Sequence, residues 1–416
     1  MARTCPPALL TGVALLGASL LLLEITVFRL CAATVGHAVA YLVAVVGPAT
    51  AALGGALLTS GAAGVPTRRE GRAALLALAA AVTWLAALLV LTWLSEQLNA
   101  RRPEVSPALV LSMTSTWLLP YAFVGAALAQ AMRCGGSTAG TTTFAAALGA
   151  AAVCLALPVA MWLGVPRATL SGALLPAGAA ISLALAARAA GRSVPPWTVL
   201  GTAPLVLVTL LLGDLGAPWL KIVGGRVALT KGAYQIWSPQ GLLAIERTYN
   251  KHWRLHVDGQ GCAVLIEPGG GARREGTRHT DLIHALPVPA DATVLLVATG
   301  GGRQAQMALD RQASRVVAVE RCPTAVNHIM MGRSAEATGR LYHKTDAVDV
   351  RLGDGREALA SIAGPFDRAI VVAAEPFAQV PTRMLAGTQR LRTSEALRDY
   401  LDRLTPAGLL AVSAEP

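Results

Sequence analysis

The stretch TVLLVATGGGRQAQMALDRQASRVVAVE, residues 293–320, decides the fold of the C-terminal half of this chain. It predicts a strand over 293–298, a tight turn over 300–302, a helix over 304–311 and a second strand over 315–319. Glycines at such a turn let a ligand approach the backbone, and the helix that follows directs free N–H groups at it. An acidic residue about 20 positions further on suits the hydroxyls of a ribose. The stretch therefore predicts a nucleoside site formed by Gly300, Gly301, Gly302 and Glu320.

The residues on either side of this stretch complete the prediction of a soluble α/β half. Further β-like runs at 348–352, 368–372 and 409–412 alternate with helical segments, which is typical of a parallel sheet. The turn Gly353-Asp354-Gly355-Arg356 places Asp354 at the same sheet edge as Glu320, and an ordinary turn with a helix cap is the alternative interpretation. We predict a Rossmann-like, nucleoside-binding domain over 276–416. A small antiparallel β section over 221–275, with strands at 242–247, 253–257 and 262–266, is expected to precede it.

The composition indicates that the chain is not wholly soluble. Of its 416 residues, 54% are hydrophobic and 14% are charged, and the mean hydropathy is +0.53. Soluble domains carry about 25% charged residues. A nucleic-acid surface would combine clustered Lys and Arg with aromatics, but aromatics make up 5% of this chain. The six cysteines have no metal-ligand spacing, and no metal site is predicted.

Residues 1–220 predict an α-helical, multi-pass membrane region. Stretches long enough to cross the hydrocarbon layer, which takes about 20 helical residues, recur with short connections. The prediction is seven spans, at 8–30, 38–60, 73–94, 107–132, 142–165, 168–187 and 197–213. Their many small residues favour close helix packing. We expect a plasma (inner) membrane protein whose partners include membrane lipids.

Two charged residues lie inside the first predicted span. Glu24 and Arg29 are five positions apart, which places them about 140° apart around a helix, so they are not expected to satisfy each other. Charge inside a membrane usually faces the bundle interior. We expect Glu24 to meet another helix and Arg29 to reach the interface. The prediction for both is a structural role, with a proton or substrate site as the alternative.

The predicted orientation conflicts with a cytosolic cofactor. The positive-inside rule places the N-terminus inside, because the inner connections then hold more arginines than the outer ones. Seven spans would leave the C-terminal half on the opposite side, where a nucleoside cofactor is scarce. Asp214, within the last apolar stretch, makes the seventh span the weakest of the set.

At these residues the chain resembles membrane proteins in which a spermidine synthase-like domain follows a multi-span region. The resemblance rests on ordered motifs along nearly the whole length. In the membrane region they are Leu23-Glu24 and Arg29-Leu30. In the soluble region they are Trp237-Ser238-Pro239, Val257-Asp258-Gly259, His279 and His284, residues 298–303, Val319-Glu320, residues 353–356, residues 392–396 and residues 400–408.

The resemblance implies a methyltransferase-type fold and aminopropyl transfer from decarboxylated S-adenosylmethionine to a polyamine. It places Glu320 at the ribose hydroxyls, Asp354 at the adenine and the glycine turn under the sulfonium. His279 falls at a substrate-side position. The family has an aspartate base after the fourth strand, whereas this chain has Val372, and Glu375 is the acid that remains nearby. Glu375 and His279 are therefore the candidate catalytic residues.

Three functions remain open at the level of the sequence. The first is a membrane-bound transferase that uses S-adenosylmethionine or its decarboxylated form on an unidentified substrate. The second is a synthase-like scaffold or assembly partner without chemistry. The third is a transporter with a nucleoside-sensing domain. The chain ends after the fifth predicted strand, and an exposed sheet edge favours pairing, so a homodimer or a membrane-protein partner is expected.

Overall fold

The computed structural model divides the chain into two compact units, residues 1–226 and residues 227–416. The residues that it describes are 5–34, 37–60, 69–100, 107–135, 138–214, 234–238, 241–247, 253–257, 260–265, 286–299, 301–332, 335–344, 346–371, 391 and 393–412. Each unit is described by itself below.

Helices are the only regular secondary structure among the described residues of the first unit. Apolar side chains dominate each long helix, so the helices pack by small residues and buried apolar faces rather than by one amphipathic stripe. The helices are α1 (Pro7–Thr34), α2 (His37–Ser60), α3 (Arg69–Ala100), α4 (Pro107–Gly135), α5 (Ala139–Leu163), α6 (Val165–Gly172), α7 (Leu174–Ala189), α8 (Trp197–Leu200) and α9 (Thr202–Asp214).

Five helical segments of the described residues are long and apolar enough to cross a membrane. They are Pro7–Ala33, Val39–Leu58, Arg69–Trp93, Ala139–Met161 and Val165–Ala189. The 29-residue α4 coincides with the predicted span 107–132 but is not among the five. The predicted span 197–213 is divided into the four-residue α8 and the 13-residue α9, because Pro195 and Pro196 precede α8 and Gly201 separates the two helices. The count of seven spans is therefore not confirmed.

Small residues bring α1 and α5 into close contact. A Cβ added to Gly149 would overlap the carbonyl oxygen of Ala14, and one added to Gly17 would overlap the carbonyl oxygen of Ala146. These two positions accept only glycine at the present helix separation. The expectation of close packing by small residues is met at this interface.

At one end of the helical unit, the first residues of some helices pack against the last residues of others. A buried cluster there contains Leu9 near the start of α1, Ala73 near the start of α3, Ala131 near the end of α4 and Ala187 near the end of α7. Glu70 at the start of α3 forms an ion pair with Arg192, which follows α7. The starts of α1 and α3 and the ends of α4 and α7 therefore lie at the same end of this unit.

The second unit begins with a four-stranded antiparallel sheet in the order β1-β2-β3-β4. Its strands are β1 (Tyr234–Ser238), β2 (Gly241–Arg247), β3 (Trp253–Val257) and β4 (Gln260–Leu265). Leu243, Ile245 and Leu255 of this sheet pack against Ala325 and Ile329, which belong to a π-helix over Ala325–Met330.

The remainder of the second unit is a Rossmann-like parallel sheet. Its five strands have the order β7-β6-β5-β8-β9, and every neighbouring pair is parallel. Buried apolar clusters cover both faces of the sheet, as expected when helices pack on both sides. The elements are β5 (Thr293–Val297), α10 (Arg303–Asp310), β6 (Arg315–Glu320), α11 (Leu341–Lys344), β7 (Val348–Leu352), α12 (Gly355–Ser361), β8 (Phe366–Val371), α13 (Ser394–Leu401) and β9 (Leu404–Val412).

Candidate functional site

The strand order fixes where a ligand is expected in the second unit. The chain moves from β5 outward through β6 to β7, and then returns to the other side of β5 with β8 and β9. Reversal of the strand order creates a crevice at the carboxyl ends of β5 and β8, where ligands of open α/β sheets bind. The predicted site residues follow the carboxyl ends of three adjacent strands. Gly301 and Gly302 follow β5, Glu320 ends β6, and Asp354 follows β7.

The turn after β5 is held by its own backbone. The Gly302 N–H donates to the Thr299 carbonyl at 3.2 Å, and the Gly302 carbonyl accepts the first turn of α10 from Gln306 at 2.9 Å. Gly302 has a φ of 86°, in the left-handed region that glycine adopts without a steric penalty. Ala298 also lies in this region, with a φ of 59°. That conformation is costly for a residue with a Cβ atom.

Glu320 is half-buried at the end of the strand next to β5. Its Oε1 accepts a hydrogen bond from the Cys322 N–H at 3.0 Å, which orients the carboxylate. A carboxylate has about four lone-pair sites, so this bond is compatible with ribose hydroxyls on the same group. The position agrees with the predicted spacing from the glycine turn.

Asp354 is the N-cap of α12. Its side chain accepts a hydrogen bond from the Arg356 N–H at 3.1 Å, and its backbone is extended, as N-cap residues require. The helix-cap interpretation of this turn is therefore the observed one. Asp354 also lies at the carboxyl edge of the sheet, so capping fixes the place of a carboxylate near the crevice.

A pair of buried hydroxyls beneath the glycine turn was missed by the sequence analysis. Tyr342 and Thr299 are each 5% exposed, and neither side-chain oxygen has a hydrogen bond of good geometry in the described part of the chain. The Tyr342 hydroxyl lies against Gly302, 2.5 Å from the position that a Cβ would occupy there. Burial raises the pKa of Tyr342, the nearby Glu320 carboxylate raises it further, and the adjacent Thr299 hydroxyl lowers it.

Tyr400 belongs to the motif at residues 400–408, but the sequence analysis did not predict a role for it at the site. It lies on α13, its side chain is fully buried, and its hydroxyl has no hydrogen-bond partner among the described residues. Burial raises the pKa of Tyr400 to about 12, with a further increase from the Asp354 carboxylate and an opposing effect of Arg356. Arg356 forms an ion pair with Asp399 at 3.0 Å. The Asp354 carboxylate therefore lies within electrostatic range of the Tyr400 hydroxyl.

Several predicted site residues lie outside the described residues. They are Gly300, His279, Glu375 and the position of the missing base, Val372. The candidate catalytic pair of Glu375 and His279 thus remains a prediction. Within the described ranges, no group of three or more His, Cys, Asp and Glu side chains is arranged to hold a metal ion.

The chain has distant structural similarity to known proteins, but no sequence match was found. No family model and no curated protein matches the chain. One similar solved structure is a spermidine synthase in complex with the transition state analogue AdoDATO, with 15% identity and a TM-score of 0.32. Another is spermidine synthase from Thermotoga maritima, with 16% identity and a TM-score of 0.30. Each alignment covers 43% of this chain and 55% of the other, so the chain spans about half the length of these structures.

Proposed function

We propose that the chain is a membrane-anchored transferase whose Rossmann-like unit binds S-adenosylmethionine or its decarboxylated form. The observation that carries this proposal is the placement of the glycine turn, Glu320 and Asp354 after three adjacent parallel strands, of which β5 borders the topological switch point with β8. Apolar helices long enough to cross a membrane support the anchored part of the proposal.

Each group at the sheet edge has a role suited to its chemistry. Ribose hydroxyls donate to the Glu320 carboxylate, as charge-assisted hydrogen bonds of about 1.5–3 kcal/mol each. Asp354 meets the adenine, whose exocyclic amine is a hydrogen-bond donor. Gly301 and Gly302 let the sulfonium end lie against the backbone. When bound, the sulfonium would supply an activated carbon for transfer to a nucleophile, with a neutral thioether as the leaving group.

The sequence around Val372 makes spermidine formation a poor candidate for the reaction. A base that accepts the proton of the attacking amine contributes about 10²- to 10⁴-fold to the rate, and a valine side chain cannot do so. We expect little or no spermidine from putrescine and decarboxylated S-adenosylmethionine. Robust formation of spermidine by the purified chain would contradict this expectation, and loss of that activity in Glu375→Gln or His279→Gln would identify the replacement base.

Binding calorimetry on the full-length protein tests the proposal. The ligands are S-adenosylmethionine, its decarboxylated form and methylthioadenosine. Because Glu320 binds two hydroxyls, Glu320→Ala is expected to weaken binding about tenfold or more, and Glu320→Gln by less. Glu336→Ala, which removes an exposed carboxylate paired with Arg340 in the same unit, is the matched control and should bind like the wild type.

A scaffold without chemistry is the second candidate. The observation that favours it is that both edge carboxylates bond to their own backbone, Glu320 to the Cys322 N–H and Asp354 to the Arg356 N–H. These bonds stabilise turns without any ligand. If none of the three ligands binds the folded protein at millimolar concentration, the transferase proposal fails and the scaffold takes its place.

A further inference from the structure

A carboxyl group lies well inside the longest apolar part of the helical unit. Glu24 is in α1, about ten residues before its end at Thr34, which is about 15 Å along the helix axis. It belongs to the segment Pro7–Ala33, one of the five that are long and apolar enough to cross a membrane. A charge at such a depth is costly unless it is paired.

The hydrogen-bond partner of Glu24 is a neutral hydroxyl. Tyr121 of α4 is fully buried and donates to Glu24 Oε2 at 2.8 Å. The Tyr121 ring passes directly over Gly47 of α2, where a Cβ would meet the ring at 2.6 Å. Three helices thus converge at this carboxyl group. Among the described side chains, no Lys or Arg forms an ion pair with it.

An aromatic pair lies one helical turn farther along α1. Phe28 is one helical turn beyond Glu24 and therefore shares its face of α1. The Phe28 ring packs edge-on against Tyr41 of α2, with the ring centroids 5.3 Å apart. Glu24 and Phe28 are only half-buried and Tyr41 is 42% exposed, so these three side chains can be reached from outside the helix bundle.

We propose that the four side chains of Glu24, Phe28, Tyr41 and Tyr121 form a site that binds an organic ammonium ion. The carboxylate supplies the opposite charge, and the hydroxyl of Tyr121 fixes its orientation. Ring faces attract cations within about 6 Å, most strongly where water is excluded. An inorganic cation would need several oxygen ligands, whereas the described residues supply one carboxylate and one phenol oxygen. The site is separate from the nucleoside site and does not depend on it.

The test is binding of labelled benzyltrimethylammonium to the full-length chain in lipid nanodiscs. The wild type is expected to bind one equivalent saturably. Glu24→Gln should weaken binding at least tenfold, and Tyr121→Phe and Phe28→Leu should each weaken it several-fold. Two matched controls should stay within about twofold of the wild type, because they change the same residue types elsewhere in the unit. They are Glu70→Gln and Phe144→Leu, of which Phe144 is 66% exposed on α5.

Other outcomes overturn the proposal. Equal binding by the wild type and a folded Glu24→Gln variant would place the probe elsewhere. Absence of saturable binding to the folded wild type would make Glu24 a neutral hydrogen-bond acceptor with a structural role. If K⁺ displaced the probe as effectively as the unlabelled ammonium ion at constant ionic strength, the site would belong to an inorganic cation. Failure of S-adenosylmethionine to bind would leave this proposal unaffected.

Discussion

The hydroxyl of Tyr342 is buried without a hydrogen bond of good geometry, and that has a measurable energetic consequence. A buried polar group that loses its water contacts destabilises the fold by about 1–3 kcal/mol. In the absence of ligand, Tyr342→Phe should therefore leave the free energy of unfolding unchanged or raise it by about 1 kcal/mol. Thermal unfolding of the purified chain measures this. Tyr121→Phe is the control, and it should lower the free energy of unfolding, because the Tyr121 hydroxyl donates a hydrogen bond to Glu24. A clear loss of stability in Tyr342→Phe would show that the hydroxyl has a partner after all.

Ala298 is strained by its left-handed backbone, with a φ of 59°. Glycine adopts this conformation freely, so Ala298→Gly should stabilise the second unit by about 1 kcal/mol, or about 2–4 °C in its melting temperature. Ala360→Gly is the control, since Ala360 is exposed within α12. There the same change should destabilise by about 0.5–1 kcal/mol. Destabilisation by Ala298→Gly would mean that the methyl group contributes packing that outweighs the strain.

At the scale of elements, the glycine contacts between α1 and α5 give a sharp prediction. Gly149→Leu would force the helices apart because a side chain there overlaps Ala14. It should prevent folding of the helical unit or lower its melting temperature by well over 5 °C, as overpacking of about 1–3 kcal/mol or more implies. Gly140→Leu, in the same helix but with nothing within 4 Å of an added Cβ, should be tolerated. Equal stability of the two variants would show that α1 and α5 are not packed as described.

Part of the second unit could be predicted from the sequence, and part of it could not. Alternation of apolar runs with helical segments predicted β5, β6 and β7, and the spacing after β5 placed Glu320, because parallel strands end at one edge. Tyr342 could not be found this way, since it is 40 positions from Gly302 and only the fold brings them together. Tyr400 could not be found this way either, since it is still farther from Gly302 along the chain. The seventh predicted span, 197–213, was not confirmed, because the apolar pattern by itself gives no weight to the two prolines before α8 and the glycine between α8 and α9.

At the scale of the whole molecule, the division of that last stretch bears on the orientation problem. The 13 residues of α9 extend about 20 Å, which is less than the ~30 Å hydrocarbon layer. Without this span, the five segments long and apolar enough to cross a membrane lie in α1, α2, α3, α5 and the pair α6–α7. We propose that the 29-residue α4, which lies between α3 and α5 in the chain, is a sixth crossing. An even number agrees with the cluster that gathers the starts of α1 and α3 with the ends of α4 and α7 at one end of the unit. Arg69, Arg72, Arg133, Arg188 and Arg192 are near that end, which the positive-inside rule assigns to the cytoplasm.

We therefore predict that the Rossmann-like unit is on the cytoplasmic side, where nucleoside cofactors are available. A cysteine introduced at the exposed Ala360, in a chain whose native cysteines have been replaced, should resist a membrane-impermeant thiol reagent in intact cells and react after lysis. Arg101→Cys, in the connection between α3 and α4, should react in intact cells because an odd number of crossings precedes it. Labelling of position 360 in intact cells would mean that the chain crosses the membrane a seventh time. The Rossmann-like unit would then lie outside the cytoplasm, where the cofactor is not available. In that case the transferase proposal would fail, even though the sheet edge has the groups to bind a nucleoside.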